Sequence, residues 1–533
     1  MTPNRNWAAL LAPVLLTTAI VFSQTPEAPK SDEYLLLGNP NRGAGEPILF
    51  VNPKDSDNII VVAMATLNRL PTGEAPLGRG APGGGGAAPA NGGGRTPLRI
   101  KELSTPDGSL TEIAITRDGS KTWEFSEDNF RKILGKNRCS DSFAGAGPDG
   151  TLYMGCLAYL NRGGADYEQG YAPNGEAKYY HGGSAIAWSS DKGKTWSNPV
   201  WVHPALSPSL YDPRVHPVFE QASPWDRPFF VADASTGTIY ISGTGPTYTV
   251  DPKTLPTAKI DPTLPSRGYA GYPPADVSRT RTYIRASHDQ ARTWGVIYPM
   301  DSDDYPGGRG GFTAGYGKLA VTYTSPKVPD RLGAQCPCTV FGTSGDDGKT
   351  FEYTLVPPLP PVAAQSTAAA AAGGGRGGGV GGGVMLGADP TKEGRFALAR
   401  QSGQTMLINV TEDGGRTWLQ PVVAARIPEG ASFGHRAMKY SAKGALAMMW
   451  KATYADRTYD VWTSASRDGG KTFRTIRVSH AVSPPLILER GNFGLGDDLS
   501  SVDVDDRYVH VVWGDNRSGF QGTWYGRVPL DAY

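Results

Sequence analysis

The 533-residue chain is almost electrically neutral and rich in residues that favour turns. Lys and Arg number 52 against 51 Asp and Glu, which gives a formal net charge of +1. Proteins that bind nucleic acids or anionic membranes through bulk charge carry a marked basic excess, so the composition speaks against both functions. The 69 glycines, 44 prolines and 12 tryptophans favour a turn-rich, all-β protein, and a chain of this length can form one closed β unit.

The first 23 residues have the features of a secretory signal peptide. Arg5 precedes an apolar run from Ala8 to Phe22, and the small residues Val21 and Ser23 fit the cleavage-site pattern before Gln24. The run is too short to cross a bilayer comfortably. We therefore expect cleavage after Ser23, a secreted or periplasmic protein, and one folded domain over residues 24–533.

An eight-residue motif recurs six times. Its copies share Ser or Thr at the first position, Asp at the third, Thr at the seventh and Trp or Phe at the eighth, and they begin at Thr116, Ser189, Ser287, Ser344, Thr411 and Ser466. The first hydroxyl and the Asp carboxylate can accept backbone N–H groups, and Gly supplies the positive φ of a tight reversal. Because each copy follows a strand-like run, we predict a turn between antiparallel strands, with a structural Asp and an aromatic plug.

This octamer is the Asp box, also called the BNR repeat, and the chain resembles the sialidase-like β-propeller families that carry it. The resemblance extends from about Glu46 to Val528. It implies a propeller in which each octamer lies between the third and fourth strands of a blade, on the side away from the usual active-site face. The motif therefore indicates the fold and leaves the function open.

A second repeat, consisting of a short strand, a turn and a strongly apolar strand, occurs seven times. We interpret its copies as the inner hairpins of the blades; they begin at Glu46, Ser142, Arg227, Gly311, Gly383, Arg436 and Asp498. The last unit ends after a third strand, and the segment Glu33–Gly38 can complete it and close the ring. We therefore predict an all-β propeller of seven four-stranded antiparallel blades. Six blades, the number that the sialidase resemblance implies, is the alternative.

The four cysteines and two low-complexity segments complete the organisation of the chain. Cys139 and Cys156 flank a predicted hairpin and are expected to form a disulfide in an oxidising compartment. Cys336 and Cys338 are separated by one proline, and this spacing is not a zinc pattern without a second pair. The segments near 78–94 and 363–383 are rich in Gly and Ala and are expected to be insertions.

Ionisable residues stand at the start of most predicted inner strands, where a propeller faces one end of its central channel. The aligned positions are Glu46, Asp141, Asp226 with Arg227, Arg309, Gly383, His435 with Arg436, and Asp497 with Asp498. Carboxylates and guanidinium groups that converge there favour an anionic or polyhydroxylated ligand, because Arg can bind a carboxylate through two parallel hydrogen bonds. Solvated strand ends are the alternative explanation. The aromatic segment 161–183, which includes Tyr180, is expected to form a ligand rim.

The sialidase resemblance implies three arginines for the substrate carboxylate, a Tyr nucleophile with a Glu partner, and an Asp acid/base. Arg227, Arg309 and Arg436 are available for the first role. The Arg-Ile-Pro motif of the family is replaced by Glu46-Pro47-Ile48, and its Tyr-Ser motif by Asp497-Asp498-Leu499-Ser500. The sequence therefore departs from the sialidase catalytic set.

The leading hypothesis is a secreted glycoside hydrolase with an altered catalytic set, acting on a glycan or another polar or anionic small molecule. The expected acids and bases are drawn from Glu46, Asp141, Asp226 and Asp498, and the expected substrate-binding residues are Arg227, Arg309, Arg436, His435 and Tyr180. The alternative is a non-catalytic propeller that binds a carbohydrate or a protein. No HExxH or HxxxH pattern occurs, so we expect no metal or other cofactor, and we expect a monomer.

Overall fold

The structure, a computed structural model, is a seven-bladed β-propeller. It describes residues 31–39, 42–67, 111–125, 138–159, 180–206, 220–222, 228–249, 277–307, 310–359, 385–485 and 499–533. Within these ranges the strands form seven antiparallel sheets arranged as blades. The prediction of an all-β propeller is confirmed, and so is the preference for seven blades over six.

The strands are numbered along the chain, and β1 (Asp32–Leu37) precedes the first blade. The strands of blade one are β2 (Arg42–Asn52), β3 (Asp55–Leu67), β4 (Thr111–Thr116) and β5 (Glu124–Phe125). Those of blade two are β6 (Arg138–Ala146), β7 (Leu152–Tyr159), β8 (Tyr180–Ser189) and β9 (Val200–Leu206). Those of blade three are β10 (Glu220–Ala222), β11 (Phe230–Ala232), β12 (Ile239–Thr249), β13 (Val277–Ser287) and β14 (Tyr298–Pro299).

The remaining blades follow the same plan. The strands of blade four are β15 (Gly310–Gly315), β16 (Lys318–Ser325), β17 (Cys338–Ser344) and β18 (Glu352–Leu355). Those of blade five are β19 (Met385–Ala388), β20 (Phe396–Ser402), β21 (Thr405–Thr411) and β22 (Val422–Arg426). Those of blade six are β23 (Ala431–Tyr440), β24 (Leu446–Tyr454), β25 (Tyr459–Ser466) and β26 (Arg474–Arg477). Those of blade seven are β27 (Ser501–Val504), β28 (Tyr508–Asp515) and β29 (Gly522–Pro529), with β1 added at the edge.

The only helical segments among the described residues are two short 3₁₀ helices, Asp330–Leu332 and Leu530–Ala532. No helix in this part of the chain combines the length and apolarity that crossing a membrane requires. The predicted signal peptide and both low-complexity segments lie outside the described residues.

The innermost strands of the blades form the inner wall of the ring, and in blade three β10 and β11 both pair with β12 at this position. They contact one another in the order β2, β6, β11, β15, β19, β23, β27 and back to β2. Because neighbouring strands in a blade are antiparallel, the turn after the first strand and the turn after the third lie at the same end of the ring. We call this the octamer end. The inner strands begin at the opposite end, which we call the entrance end.

The hydrophobic core is divided among the junctions between neighbouring blades. The described apolar residues form seven clusters, and each cluster joins the facing sides of two adjacent blades, including the last and the first. At the junction of blades one and two, for example, Ile60 and Ile113 pack against Leu152 and Met154. Burial of these faces is the main force that holds the blades together.

The six octamers form the predicted turns between the third and fourth strands of blades one to six. In all six the first hydroxyl donates to the Asp Oδ1 at 2.7–2.9 Å. The same hydroxyl accepts the backbone N–H of the fifth residue, and the Thr hydroxyl at the seventh position donates to the Asp Oδ2 at 2.6–2.7 Å. Each Asp carboxylate is therefore occupied within its own turn.

The aromatic residue at the end of each octamer packs against the junction with the preceding blade. Trp196 of blade two joins the cluster between blades one and two, and Trp418 of blade five joins the cluster between blades four and five. The other four rings follow the same rule; they are Trp123, Trp294, Phe351 and Phe473. Blade seven has no octamer, and Leu530, Ala532 and Tyr533 pack against its junction with blade six.

The ring is closed by β1, which pairs with β29 and supplies the fourth strand of blade seven. Glu33 accepts two hydrogen bonds from Arg517, at 2.7 and 3.2 Å. Tyr34 accepts a hydrogen bond from the indole N–H of Trp123 at 2.7 Å, so β1 also joins blade seven to blade one. The predicted use of the segment after Glu33 as the closing strand is confirmed.

The cysteines follow two patterns. Cys156 is fully buried in the cluster between blades one and two and is disulfide-bonded. Its predicted partner, Cys139, lies on β6, and the side chain of Cys139 is outside the described part of the structure. Cys336 and Cys338 form a disulfide with each other, a pairing that sequence reasoning did not assign.

We predict that Glu33 contributes more to stability than Asp32, its neighbour on β1. The side chain of Glu33 is 4% exposed, whereas that of Asp32 is 64% exposed and pairs with Arg527 at the surface. Glu33→Ala should lower the free energy of unfolding by about 2–3 kcal/mol because buried charge-assisted hydrogen bonds are lost. Asp32→Ala should lower it by less than about 1 kcal/mol. Urea denaturation of both variants measures the difference, and equal losses would contradict the assigned role of Glu33.

We predict that Asp413→Asn destabilises the fold in a pH-dependent way. Hydrogen bonds from the Thr417 side chain and backbone lower the pKa of Asp413 to about 2. The ionised carboxylate therefore stabilises the fold above the unfolded-state pKa of about 4, and this contribution is lost as the pH falls through about 2. Asp413→Asn should cost about 1 kcal/mol near neutral pH, and the difference from the unmodified protein should shrink between about pH 4 and 2.

Urea denaturation at a series of pH values tests this prediction. Asp330→Asn is the matched control, because Asp330 is an exposed aspartate in a 3₁₀ helix outside the octamers. A pH dependence in Asp413→Asn identical to that of the unmodified protein would rule out the proposed contribution.

Candidate functional site

Three inner strands carry the same irregularity near the entrance end. In β2, β6 and β23 the register with the next strand shifts between Gly45 and Ile48, between Ser140 and Phe143, and between Phe433 and Arg436. In each case two residues lie opposite one, which defines a β-bulge. The bulged pairs are Glu46-Pro47, Asp141-Ser142 and Gly434-His435, and the residues opposite them are Ala63, Cys156 and Lys451.

The bulges hold two predicted catalytic residues in an unusual backbone conformation. Glu46 has φ of 51° and Asp141 has φ of 44°. A residue with a Cβ atom pays about 1–2 kcal/mol in the left-handed region, and such residues concentrate at functional sites. Two acids with this conformation at equivalent positions of neighbouring blades are therefore a structural signal beyond their residue type.

Blades one and two are joined where these acids lie. The Thr111 hydroxyl of β4 and the Ser142 hydroxyl of β6 are hydrogen-bonded at 2.5 Å. Ser142 directly follows Asp141, and both Thr111 and Ser142 are buried. Glu46 is 8% exposed, whereas Asp141 is partly exposed. The hydrogen bond therefore ties the backbone next to Asp141 to blade one.

The inner wall encloses an axial cavity of about 620 Å³. Inner strands of all seven blades contribute to its lining, and its walls combine aromatic rings such as Phe50, Phe230 and Phe312 with charged groups. This volume lies in the range of small-molecule sites. The combination of apolar walls and a few polar groups is also typical of such sites.

Arg436 lines the axial cavity, one position after the bulge residue His435. Its Nη1 donates to Gln401 Oε1 at 2.7 Å, and it makes no salt bridge within the described residues. Burial lowers the pKa of the Arg436 guanidinium. A partly buried cationic group with an uncharged neighbour is suited to an anionic ligand.

Lys439 and Asp503 form an ion pair on the cavity wall that the sequence did not predict. Lys439 Nζ lies 2.6 Å from Asp503 Oδ2 and 3.6 Å from the ring centroid of Phe50. Asp503 Oδ2 also accepts the backbone N–H of Val51 at 2.9 Å. Burial lowers the pKa of Lys439, and Asp503 acts in the opposite direction. The pair thus joins blades six, seven and one, and its main role is structural.

The predicted site residues are distributed as follows. Glu46, Asp141 and His435 occupy the entrance-end bulges and are not among the residues that line the axial cavity, whereas Arg436 lies on the cavity wall. Tyr180 is the first residue of β8, but its side chain is outside the described part of the structure. The remaining predicted residues, Asp226, Arg227, Arg309 and Asp498, lie outside the described residues. Among the described residues, no three His, Cys, Asp or Glu side chains come together in a group suited to a metal ion.

The comparisons with solved structures return several propellers at low identity. A protein of unknown function from Dyadobacter fermentans is 12% identical, with a TM-score of 0.42, over 94% of this chain and 99% of its own. The Trypanosoma rangeli sialidase is 13% identical, with a TM-score of 0.39, over 83% of this chain and 60% of its own. The intramolecular trans-sialidase of Ruminococcus gnavus is 15% identical, with a TM-score of 0.36, over 73% of this chain and 94% of its own.

No family model and no curated protein sequence matches the chain. The TM-scores of the structural neighbours are low, so their likeness carries no argument about the site or its activity. The class of protein is established by the sheets themselves, which form a seven-bladed propeller.

We predict that the positive φ of Asp141 makes glycine more stable than alanine at this position. The free energy of unfolding of Asp141→Gly should be about 1 kcal/mol higher than that of Asp141→Ala. Glycine has no Cβ atom, so it adopts a left-handed backbone conformation without steric strain. Glu112, the second residue of β4, is the control position, and there the alanine variant should be the more stable. Thermal unfolding of the four variants measures both differences. Greater stability of Asp141→Ala would contradict the strained bulge.

Proposed function

We propose that this chain is a glycoside hydrolase whose catalytic carboxyl groups lie at the entrance end of the propeller. The observation that carries the proposal is the repeated bulge, which places Glu46 and Asp141 at equivalent positions of adjacent inner strands with positive φ. Bulges redirect side chains next to active sites, and strained backbone persists where function requires it. The charged groups expected at the entrance end, which favour a polyhydroxylated or anionic ligand, support a glycan as the substrate.

The proposed reaction needs two carboxyl groups with different tasks. One donates a proton to the oxygen of the departing sugar or aglycone, and the other either activates a water molecule or attacks the anomeric carbon. We assign these tasks to Glu46 and Asp141 as a pair. The separation of the two carboxyl groups when substrate is bound would decide between retention and inversion of configuration.

The aspartates of the octamers have no part in this proposal. Each is held by the hydroxyl groups of its own turn, as Asp413 is by Thr411 and Thr417. They also lie at the octamer end of the ring, whereas the bulges lie at the entrance end. We therefore assign the chemistry to the acids of the inner strands.

Arg436 is the proposed binding group for a charged or hydroxyl-rich part of the substrate. It lines the axial cavity next to the His435 bulge, and its described hydrogen-bond partner is the uncharged Gln401. A guanidinium group in this setting can bind a carboxylate through two hydrogen bonds or sugar hydroxyls through single ones. His435, Tyr180 and the predicted residues outside the described ranges, Asp226, Arg227, Arg309 and Asp498, are proposed to complete the site.

We predict that the protein hydrolyses at least one member of a panel of aryl glycosides that includes sialosides, and that Asp141→Asn and Glu46→Gln each reduce kcat by at least about 100-fold. The melting temperatures should change little, because each substitution keeps the size of the side chain. Asp304→Asn is the control, since Asp304 is an exposed acid between blades three and four; it should retain full activity.

Two results would overturn the proposal in different ways. Unchanged kcat in both carboxyl variants would remove Glu46 and Asp141 from catalysis. Binding to a glycan array without hydrolysis of any panel member would favour the alternative of a carbohydrate-binding propeller.

A further inference from the structure

The disulfide between Cys336 and Cys338 lies in a loop of blade four. The loop spans residues 326–337 and joins β16 to β17, with Cys338 as the first residue of β17. Only Pro337 separates the two cysteines, and their Cα atoms are 4.4 Å apart. Both residues are partly exposed. The loop therefore presents a disulfide at the surface, at the entrance end of the ring.

This disulfide does little to hold the fold together. The stabilisation from a disulfide grows with the length of the loop that it closes, and this one closes the shortest loop that two non-adjacent cysteines can form. The strand ends on either side are already fixed, because Ser325 pairs with Cys338 in the sheet register. The Ser325 hydroxyl also donates to the Pro306 carbonyl at 2.6 Å. The loop therefore keeps its anchor points with or without the sulfur–sulfur bond.

The disulfide of Cys156 provides a contrast within the same chain. Cys156 is fully buried and packs in the cluster between blades one and two with Met154 and Ala185. A thiol in solution cannot reach its sulfur atom without opening this junction. The Cys156 sulfur atom is therefore shielded from external thiols, whereas Cys336 and Cys338 are partly exposed, and access to sulfur is a feature that decides thiol–disulfide exchange.

We propose that Cys336 and Cys338 form a thiol–disulfide exchange site whose substrates are small thiols and protein dithiols. Exposed disulfides in small loops are the kind that exchange readily, whereas structural disulfides resist reduction. The site is independent of the proposed hydrolysis.

The reaction balances in two steps. An external thiolate attacks one sulfur atom of the pair, the Cys336–Cys338 bond breaks, and a mixed disulfide and one cysteine thiolate form. A second external thiolate then attacks the external sulfur of the mixed disulfide and releases the second cysteine. Two external thiols thereby become one disulfide. The two electrons that they lose reduce the Cys336–Cys338 disulfide to a dithiol. In the reverse direction the dithiol reduces an external disulfide.

We predict that reduced glutathione opens the Cys336–Cys338 bond in the folded full-length protein while the disulfide of Cys156 stays intact. Free thiols are blocked with iodoacetamide after timed incubation, and mass spectrometry then measures the blocked fraction of each cysteine. Cys336 and Cys338 should be blocked at least tenfold faster than Cys156, with an unchanged circular dichroism spectrum. Oxidised glutathione should restore the disulfide.

The double variant Cys336→Ser/Cys338→Ser is the matched control, and it should fold with an unchanged melting temperature and form no mixed disulfide with glutathione. A protein dithiol used in place of glutathione reveals which kind of thiol the site prefers. Labelling of Cys336 and Cys338 only in denaturant, or at the same rate as Cys156, would overturn the proposal. The measurement uses no glycoside, so its failure and the failure of the proposed hydrolysis are separate results.

Discussion

The pairing of β1 with β29 is the constraint on which the rest of the ring depends. Without β1, blade seven would expose the edge of β29, and the junction between the last and first blades would lose the apolar residues Leu36 and Leu37. Residues nearly the whole chain apart therefore have to meet before the inner wall is complete. The ion pair of Lys439 and Asp503, which also reaches the backbone of Val51, reinforces the same closure from the inside of the ring. The axial cavity, which is lined by inner strands of all seven blades, exists only in the closed ring.

The two ends of the propeller use acidic residues in opposite ways. At the octamer end each Asp accepts several hydrogen bonds from its own turn, as at Asp413, so its carboxylate stabilises local structure. At the entrance end Glu46 and Asp141 lie on bulges that interrupt the ladder of the inner strands. Residues with positive φ occur in both places, such as Ser120 and Asp347 in the octamers, so the difference lies in the hydrogen bonds that hold each octamer carboxylate and in the bulges that interrupt the inner strands. This division is the physical basis for placing function at the entrance end.

Sequence reasoning identified the octamer turns, the seven blades and the closing strand, because each depends on local patterns or on counting repeats. It placed Glu46, Asp141 and His435 at the starts of inner strands but did not predict the bulges, since a one-residue register shift leaves no mark in the alternation of apolar residues. The pair of Lys439 and Asp503 joins residues 64 positions apart, and no local pattern links them. The only available signal was a lysine within the otherwise uncharged end of an inner strand. The disulfide of Cys336 and Cys338 depends on loop geometry that their spacing alone does not define.

The aromatic side chain of each octamer packs against the preceding blade. This packing sets the order in which the junctions between blades can form as the chain leaves the ribosome. Trp196 is synthesised after blade one and completes the junction between blades one and two. The aromatic residues of the later octamers complete the following junctions in the same way. The joint that uses Trp123 is different, because it also needs residues of blade seven, such as Val512 and Tyr525. The junction between blades seven and one therefore stays open until synthesis ends. During that time β1 has no partner strand and is exposed to chaperones and to mispairing.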